Sequence, residues 1–286
     1  MSVAALSFPR GGRRRRTGPL PGFGLTLGIT LAWLGLIVLL PLLALVVTAA
    51  GLGPAGWWAI ASDPRVLAAL RLSFGSALLA ASIVSVVGAV VAWVLVRYRF
   101  PGRRLLDALV DLPFALPTAV AGIALAALYA PNGWLGGLLA GLGWKIAYAP
   151  AGIVVALVFV GLPFAVRTVQ PVLEQLPREQ EEAAASLGAG HWTTLRRVLL
   201  PPLLPAMLAG FALAFARGVG EYGSVIFIAG NLPHVSEIAP LLIVIRLEEF
   251  DYRGATVIAT LMLGASFALL LLLNLLQKRL SRGQPG

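Results

Sequence analysis

The run Gly218-Val219-Gly220-Glu221-Tyr222-Gly223 has the G-x-G-x-x-G spacing that cradles dinucleotide phosphates. That chemistry needs a strand before the glycines and a helix after them. Here the run sits in an apolar stretch, where glycines serve close helix approach or a bend. No G-x-x-x-x-G-K-S/T occurs, so the chain has no P-loop of its own, and energy must come from a partner or a gradient. Arg217 and Glu221 overlap the glycine run and stand four residues apart, so on a helix they face each other. Charges within an apolar segment are costly and mark function. The preferred reading is an internal ion pair that satisfies both charges. The alternative is an arginine that attracts an anion, and the two residues are therefore the candidates for a translocation path or gate. His191 and His234 have no ligand-type neighbours in sequence, so neither a metal site nor a cofactor is expected. The absence of cysteine excludes disulfides and thiolate metal sites. No catalytic constellation is found.

The elements that must carry these residues are apolar. Of 286 residues, 59% are hydrophobic and 12% charged, and the mean hydropathy is +0.90. Soluble domains hold about twice that charged fraction. Six apolar segments stand out, over residues 23–50, 72–96, 112–130, 149–166, 203–230 and 255–276. Each is near or above the roughly 18–20 residues that cross a bilayer as a helix. Backbone in lipid must satisfy its own hydrogen bonds, so the fold class expected is an all-α polytopic membrane protein with about six transmembrane helices. The first segment follows "RGGRRRR" but is too long for a signal peptide's apolar core, so it is read as a retained helix. The chain divides into a basic tail at 1–22, a membrane domain at 23–277 and a second tail at 278–286.

The formal charge of +10 would suggest nucleic acid in a soluble protein. Its distribution says otherwise. With six spans the termini share a side. Of 22 lysines and arginines, Arg65, Arg71, Lys145, Arg246 and Arg253 fall on the opposite side and Arg217 within a span. The other 16 lie on the side of the termini. Such a bias places both termini in the cytoplasm and removes the case for nucleic acid. The bilayer is the expected partner of the apolar surface.

Residues 171–202 form the long polar connection on that side. Within it, "REQEEAAASL" is built of good helix formers, and Gly188-Ala189-Gly190 interrupts it. A second short helix is expected next, with Trp192, Leu195 and Val198 or Leu199 at helical spacing, ended by Pro201-Pro202. Two short helices around a glycine turn suit docking into a partner's groove. An amphipathic helix lying on lipid suits the same pattern.

"EAAASLGAGHWTTLRRVLLP" resembles the coupling loop of bacterial ABC-transporter permeases, in which Glu-Ala-Ala, three residues and Gly precede an apolar helix ending in Leu-Pro. Glu182, Ala183, Ala184, Gly188, Leu200 and Pro201 match, while Leu195 and Val198 take the places of an aromatic and an isoleucine. In that family the loop sits in a cleft of the ATPase subunit. Further segments, "FPGRRLLDALVDLPFALPTAVAGIAL", "PFAVRTVQPVLEQLP", "GEYGSVIFIAGN" and "RLEEFDYRGATVIA", are similar to the T-type permease subunit of sulfate/thiosulfate importers. The resemblance implies a type I ABC importer permease fold in the bacterial inner membrane and no covalent chemistry by this chain. It implies as partners a second permease subunit, two ATP-binding cassette subunits and a periplasmic or lipid-anchored sulfate-binding protein. W-type sulfate and molybdate permeases are similar. An ion-coupled secondary transporter is the alternative from another class; it calls for inverted repeats, and none is evident.

Overall fold

The computed structural model describes residues 23–281, with side chains through residue 275. The first basic tail, and residues 282–286 of the second, lie outside the described residues. In chain order the helices are α1 (Phe23–Ala50), α2 (Gly53–Ala61), α3 (Pro64–Arg97), α4 (Arg103–Val110) and α5 (Leu112–Ala115). Next come α6 (Thr118–Tyr129), α7 (Trp134–Ala140), α8 (Pro150–Gln175), α9 (Glu179–Ser186) and α10 (His191–Val219). The last three are α11 (Val225–Ile228), α12 (Ala239–Glu248) and α13 (Tyr252–Ser281). No strand occurs among the described residues. Five helices are long and apolar enough to cross a membrane, and the α6–α7 pair, bent by 44°, would make a sixth.

The chain divides at Val47–Thr48 into two units. Most of α1 belongs to the first, and its apolar side chains are exposed, as a lipid-facing helix requires. It passes Pro41 without a break because the turn Gly35–Leu39 is widened to a π-helix, with Leu40 N–H donating to the Gly35 carbonyl. Widening moves the carbonyl four residues back out of the way of the proline ring.

In the second unit α3, α8 and α10 pack as a triplet whose contact surface is made of small residues. Ala77, Ala80, Ala81 and Val84 of α3 meet Ala156 and Ala165 of α8 and Ala214 of α10. Lipid is as apolar as leucine, so helix association in a membrane depends on close approach, and small residues permit it. Gly88 and Gly210 show how close: a Cβ on Gly88 would lie 2.6 Å from the Ala165 Cβ, and one on Gly210 would lie 2.4 Å from the Thr168 hydroxyl. Leu95, Val169, Leu173, Leu199 and Leu203 make a second buried cluster of larger side chains.

Several sequence expectations need correction. Segment 112–130 is not one helix. Leu116-Pro117 splits it, since the residue before a proline avoids the helical region. Alone, α6 has 12 residues, too few to cross a bilayer. Segment 203–230 is also not one span: α10 starts earlier, at His191, and stops at Val219. Residues 220–224 are irregular and α11 follows as a single turn. The helix boundary expected at Pro201-Pro202 is absent. The turn Leu195–Leu199 is a π-helix, with Leu200 N–H donating to the Leu195 carbonyl. This is the device seen before Pro41, and the sequence Val-Leu-Leu-Pro stands at both places. Finally, the stretch before the last span holds a helix, α12, that the span count passed over. It is pinned to α3 by the Ala239 N–H donating to the Ser73 hydroxyl at 2.8 Å and by Arg65 gripping the buried Glu237 carboxylate at 2.7 and 2.8 Å.

Candidate functional site

The polar connection folds as two helices around a left-handed glycine. α9 carries Glu179, Glu181 and Glu182 in its first turn, where the helix dipole favours negative charge. It ends in a Schellman motif: the Ala189 N–H donates to the Ala184 carbonyl, and the Gly188 N–H to that of Ala185. Gly188 has φ +82°, a left-handed conformation that glycine, and next to it asparagine, takes most readily. The chain then re-enters helix at His191 as the start of α10.

Three arginine contacts fix this turn to the end of α3. Arg97 pairs with Glu181 at 2.8 Å and donates to the Leu176 carbonyl at 3.1 Å, while Arg178 donates to the Arg97 carbonyl at 3.0 Å. Between α9, α10 and Trp93 lies a cavity of about 610 Å³ whose walls include Glu181, Glu182, Trp192 and Leu195. Leu187 and Trp192 are 87% and 72% exposed. Two large apolar side chains standing out of a charged, hydrogen-bonded turn are what a docking surface presents.

Of the residues matched in sequence, Glu182, Ala183, Gly188, Leu195, Leu200 and Pro201 are exposed, and Ala184 and Val198 are half-buried. The apolar face expected over Trp192, Leu195 and Val198 or Leu199 is divided. Leu199 is buried against Leu203, Leu173 and Val169, which anchors the segment, while Trp192 and Leu195 stay outside.

The Arg217–Glu221 pair forms, with 2.5 Å between Nη1 and Oε2, yet not on one helix. Glu221 lies beyond the end of α10, in the irregular stretch, and its side chain is 1% exposed against 37% for Arg217. Its other oxygen accepts from both the backbone N–H and the hydroxyl of the fully buried Ser224, each at 2.9 Å. The carboxylate is thus a knot that closes the break, while the arginine keeps an open side. The glycine run is no phosphate loop: it straddles a helix end, and Gly223 packs on Thr118 of α6. Close to it, a Cβ on Gly122 would lie 2.4 Å from the Ser224 carbonyl. The break after α10 and the break before α6 therefore touch. Irregular backbone at membrane depth is tolerated where it is buried in protein or lines a cavity.

One polar cluster is assembled only by the packing of helices far apart in sequence. Asp107 and Asp111 do not pair with nearby Arg103 and Arg104; both turn to Arg167 of α8. Its guanidinium donates to Asp111 Oδ1 at 2.9 Å, to Asp107 Oδ1 at 2.7 Å and to the Asp107 carbonyl at 3.0 Å. Arg167 falls inside α8, not in a loop, because that helix continues through Pro163 and Pro171 to Gln175. The available signal was the i, i+4 spacing of the two carboxylates at the end of an amphipathic segment.

Residues 85–284 match the family described as binding-protein-dependent transport system inner membrane component. The chain is 52% identical over 267 residues to the sulfate transport system permease protein CysT of Escherichia coli strain K12, covering 93% of this chain and 96% of that one. It is 52% identical over 250 residues to CysT of Synechocystis sp., covering 87% of each. Among solved structures, the bacterial alginate ABC transporter in complex with an alginate pentasaccharide-bound periplasmic protein superposes with a TM-score of 0.74 at 15% identity. That likeness covers 90% of this chain and 93% of the other, and it concerns the fold alone.

Proposed function

Because the chain belongs to the family of binding-protein-dependent transport system inner membrane components, we propose that it is the permease subunit of an ATP-driven sulfate/thiosulfate importer. The observation that carries this reading is the 52% identity, over most of the chain, to the sulfate transport system permease proteins of Escherichia coli and Synechocystis sp.. The chain is a transport subunit of the inner membrane, not an enzyme; ATP is hydrolysed by a partner. It pairs with a second, different permease subunit, two ATP-binding cassette subunits and a binding protein that delivers the anion. Both termini lie in the cytoplasm, consistent with the bias of positive charge.

Transport proceeds by alternating access: the path lies between two permease subunits, and nucleotide state in the partners sets which side is open. The turn over residues 171–202 is the joint to the ATPase. Exposed Leu187 and Trp192 supply its apolar contact, and Glu182 and Gly188 its shape. A dianion leaving water must exchange its hydration for fixed donors, and backbone N–H groups and hydroxyls do this without adding net charge. Arg217, neutralised by Glu221, holds the helix break shut and is not the anion's main attraction.

The test is uptake. Vesicles holding the assembled complex with the second permease, the ATPase and the binding protein are expected to take up labelled sulfate only when ATP is supplied. Uptake of another substrate without competition by sulfate or thiosulfate overturns the assignment.

A further inference from the structure

A second site stands in the connection between α3 and α6. Past the end of α3 the chain turns at Gly102, with φ +85°, and enters α4. The turn and the helix start enclose a cavity of about 570 Å³ lined by Arg99, Phe100, Gly102, Arg103, Arg104 and Asp107. Arg97 and Arg167, one on either side in sequence, are ion-paired. Arg99, Arg103 and Arg104 make no side-chain hydrogen bond or ion pair among the described residues. The one carboxylate in the wall, Asp107, is already engaged by Arg167 at 2.7 Å. Three arginines thus line one open cleft, and among the described residues no carboxylate pairs with them.

The same helix carries an apolar side. Leu105 and Leu109, at i and i+4, are 66% and 50% exposed. A short segment with arginines at one edge and exposed leucines at the other has the composition of a helix lying at a membrane surface. We infer that the cavity binds the phosphate of an anionic phospholipid, with Arg99, Arg103 and Arg104 on the headgroup and Leu105 and Leu109 against the acyl chains. Guanidinium groups match phosphate oxygens in pairs. Free phosphate would satisfy the arginines equally well but would draw nothing from the leucines, and those decide for lipid. Since Asp107 ties α4 to α8, a lipid seated here would brace α4 against the transport core.

The experiment uses the assembled complex in phosphatidylcholine nanodiscs with and without phosphatidylglycerol, and native mass spectrometry to count retained phosphatidylglycerol. Wild type is expected to retain it through delipidating washes. The double variant Arg103→Gln/Arg104→Gln is expected to lose about fivefold in affinity per arginine removed. Arg99→Gln lies outside any helix and so cannot disturb α4; it is expected to lose about fivefold by itself. Arg253→Gln, an exposed arginine elsewhere, is expected to change nothing. Equal retention by wild type and all three cavity substitutions overturns the site. Lipid retention unchanged in Leu105→Ser/Leu109→Ser, with inorganic phosphate competing at equal affinity, assigns the cavity to a soluble anion and overturns the lipid reading. Unchanged lipid retention with loss of ATPase from the complex makes the arginines a protein contact, which overturns it as well.

Discussion

Removing Arg217 should harm the protein more than removing Glu221, and removing both should harm it less than the two losses added together. The structure sets the sizes. Arg217→Met strands a carboxylate whose side chain is 1% exposed. Orphaning a buried charge costs about 3–5 kcal/mol, and the two Ser224 donors that remain on Glu221 put this case at the lower end. Glu221→Met leaves an arginine that is 37% exposed and can reach polar surroundings, a loss of about 0.5 kcal/mol. It also strips the buried Ser224 N–H and hydroxyl of their acceptor, about 1.5 kcal/mol more. The double variant retains only that last penalty, about 1.5 kcal/mol. Singles of about 3 and 2 kcal/mol against a double of about 1.5 leave a coupling of about 3.5 kcal/mol. The assay is a denaturant titration of the purified complex for all four proteins, with sulfate uptake measured beside it. A coupling below about 0.5 kcal/mol, the level at which independent sites add, refutes the argument. So does a specific transport result: loss of uptake by Arg217→Met at normal membrane yield, unrelieved by Glu221→Met. Arg217 would then lie on the anion's path.

Gly188→Val should lower both ATPase co-purification and uptake, because a left-handed residue other than glycine costs roughly 1–2 kcal/mol and a branched one more. Gly188→Asn should preserve most of both, since asparagine closes helices in the same conformation; normal assembly of the valine variant would refute the turn's importance. A reporter active only in the periplasm, fused after Gly286, should give no signal, and a strong signal would reverse the orientation.

Sequence reading found the long helices because each is a continuous apolar run. It misplaced their ends where polar and apolar residues share an element. α10 reads as two pieces because Thr193, Thr194, Arg196 and Arg197 precede Pro201-Pro202. A π-turn that carries a helix through a proline changes no composition, only the hydrogen-bond register. Residues 220–230 read as span because they are apolar, yet they form an irregular stretch and a single turn packed on α6. Apolar content reports burial, not conformation. The Gly188 turn was legible because glycine between two helix-forming runs has few other uses. Neither the pairing of Asp107 and Asp111 with Arg167 nor the Arg65–Glu237 clasp was legible, since each depends on which helices become neighbours.

The unbroken course of α10 has a mechanical consequence. From His191 to Val219 it is one rod of 29 residues, about 43 Å long at 1.5 Å per residue. Trp192 stands exposed at one end and Arg217 is tied to Glu221 near the other. A tilt of about 5° about either end would carry the opposite end through about 4 Å, far more than a side-chain adjustment. The π-turn at Leu195–Leu199 is the weak point of the rod, close to its exposed end. A push on Trp192 can either flex that turn and be lost, or lean the whole rod and strain the knot at Glu221. Stiffness over five residues thus sets how much of a displacement at Trp192 reaches Glu221.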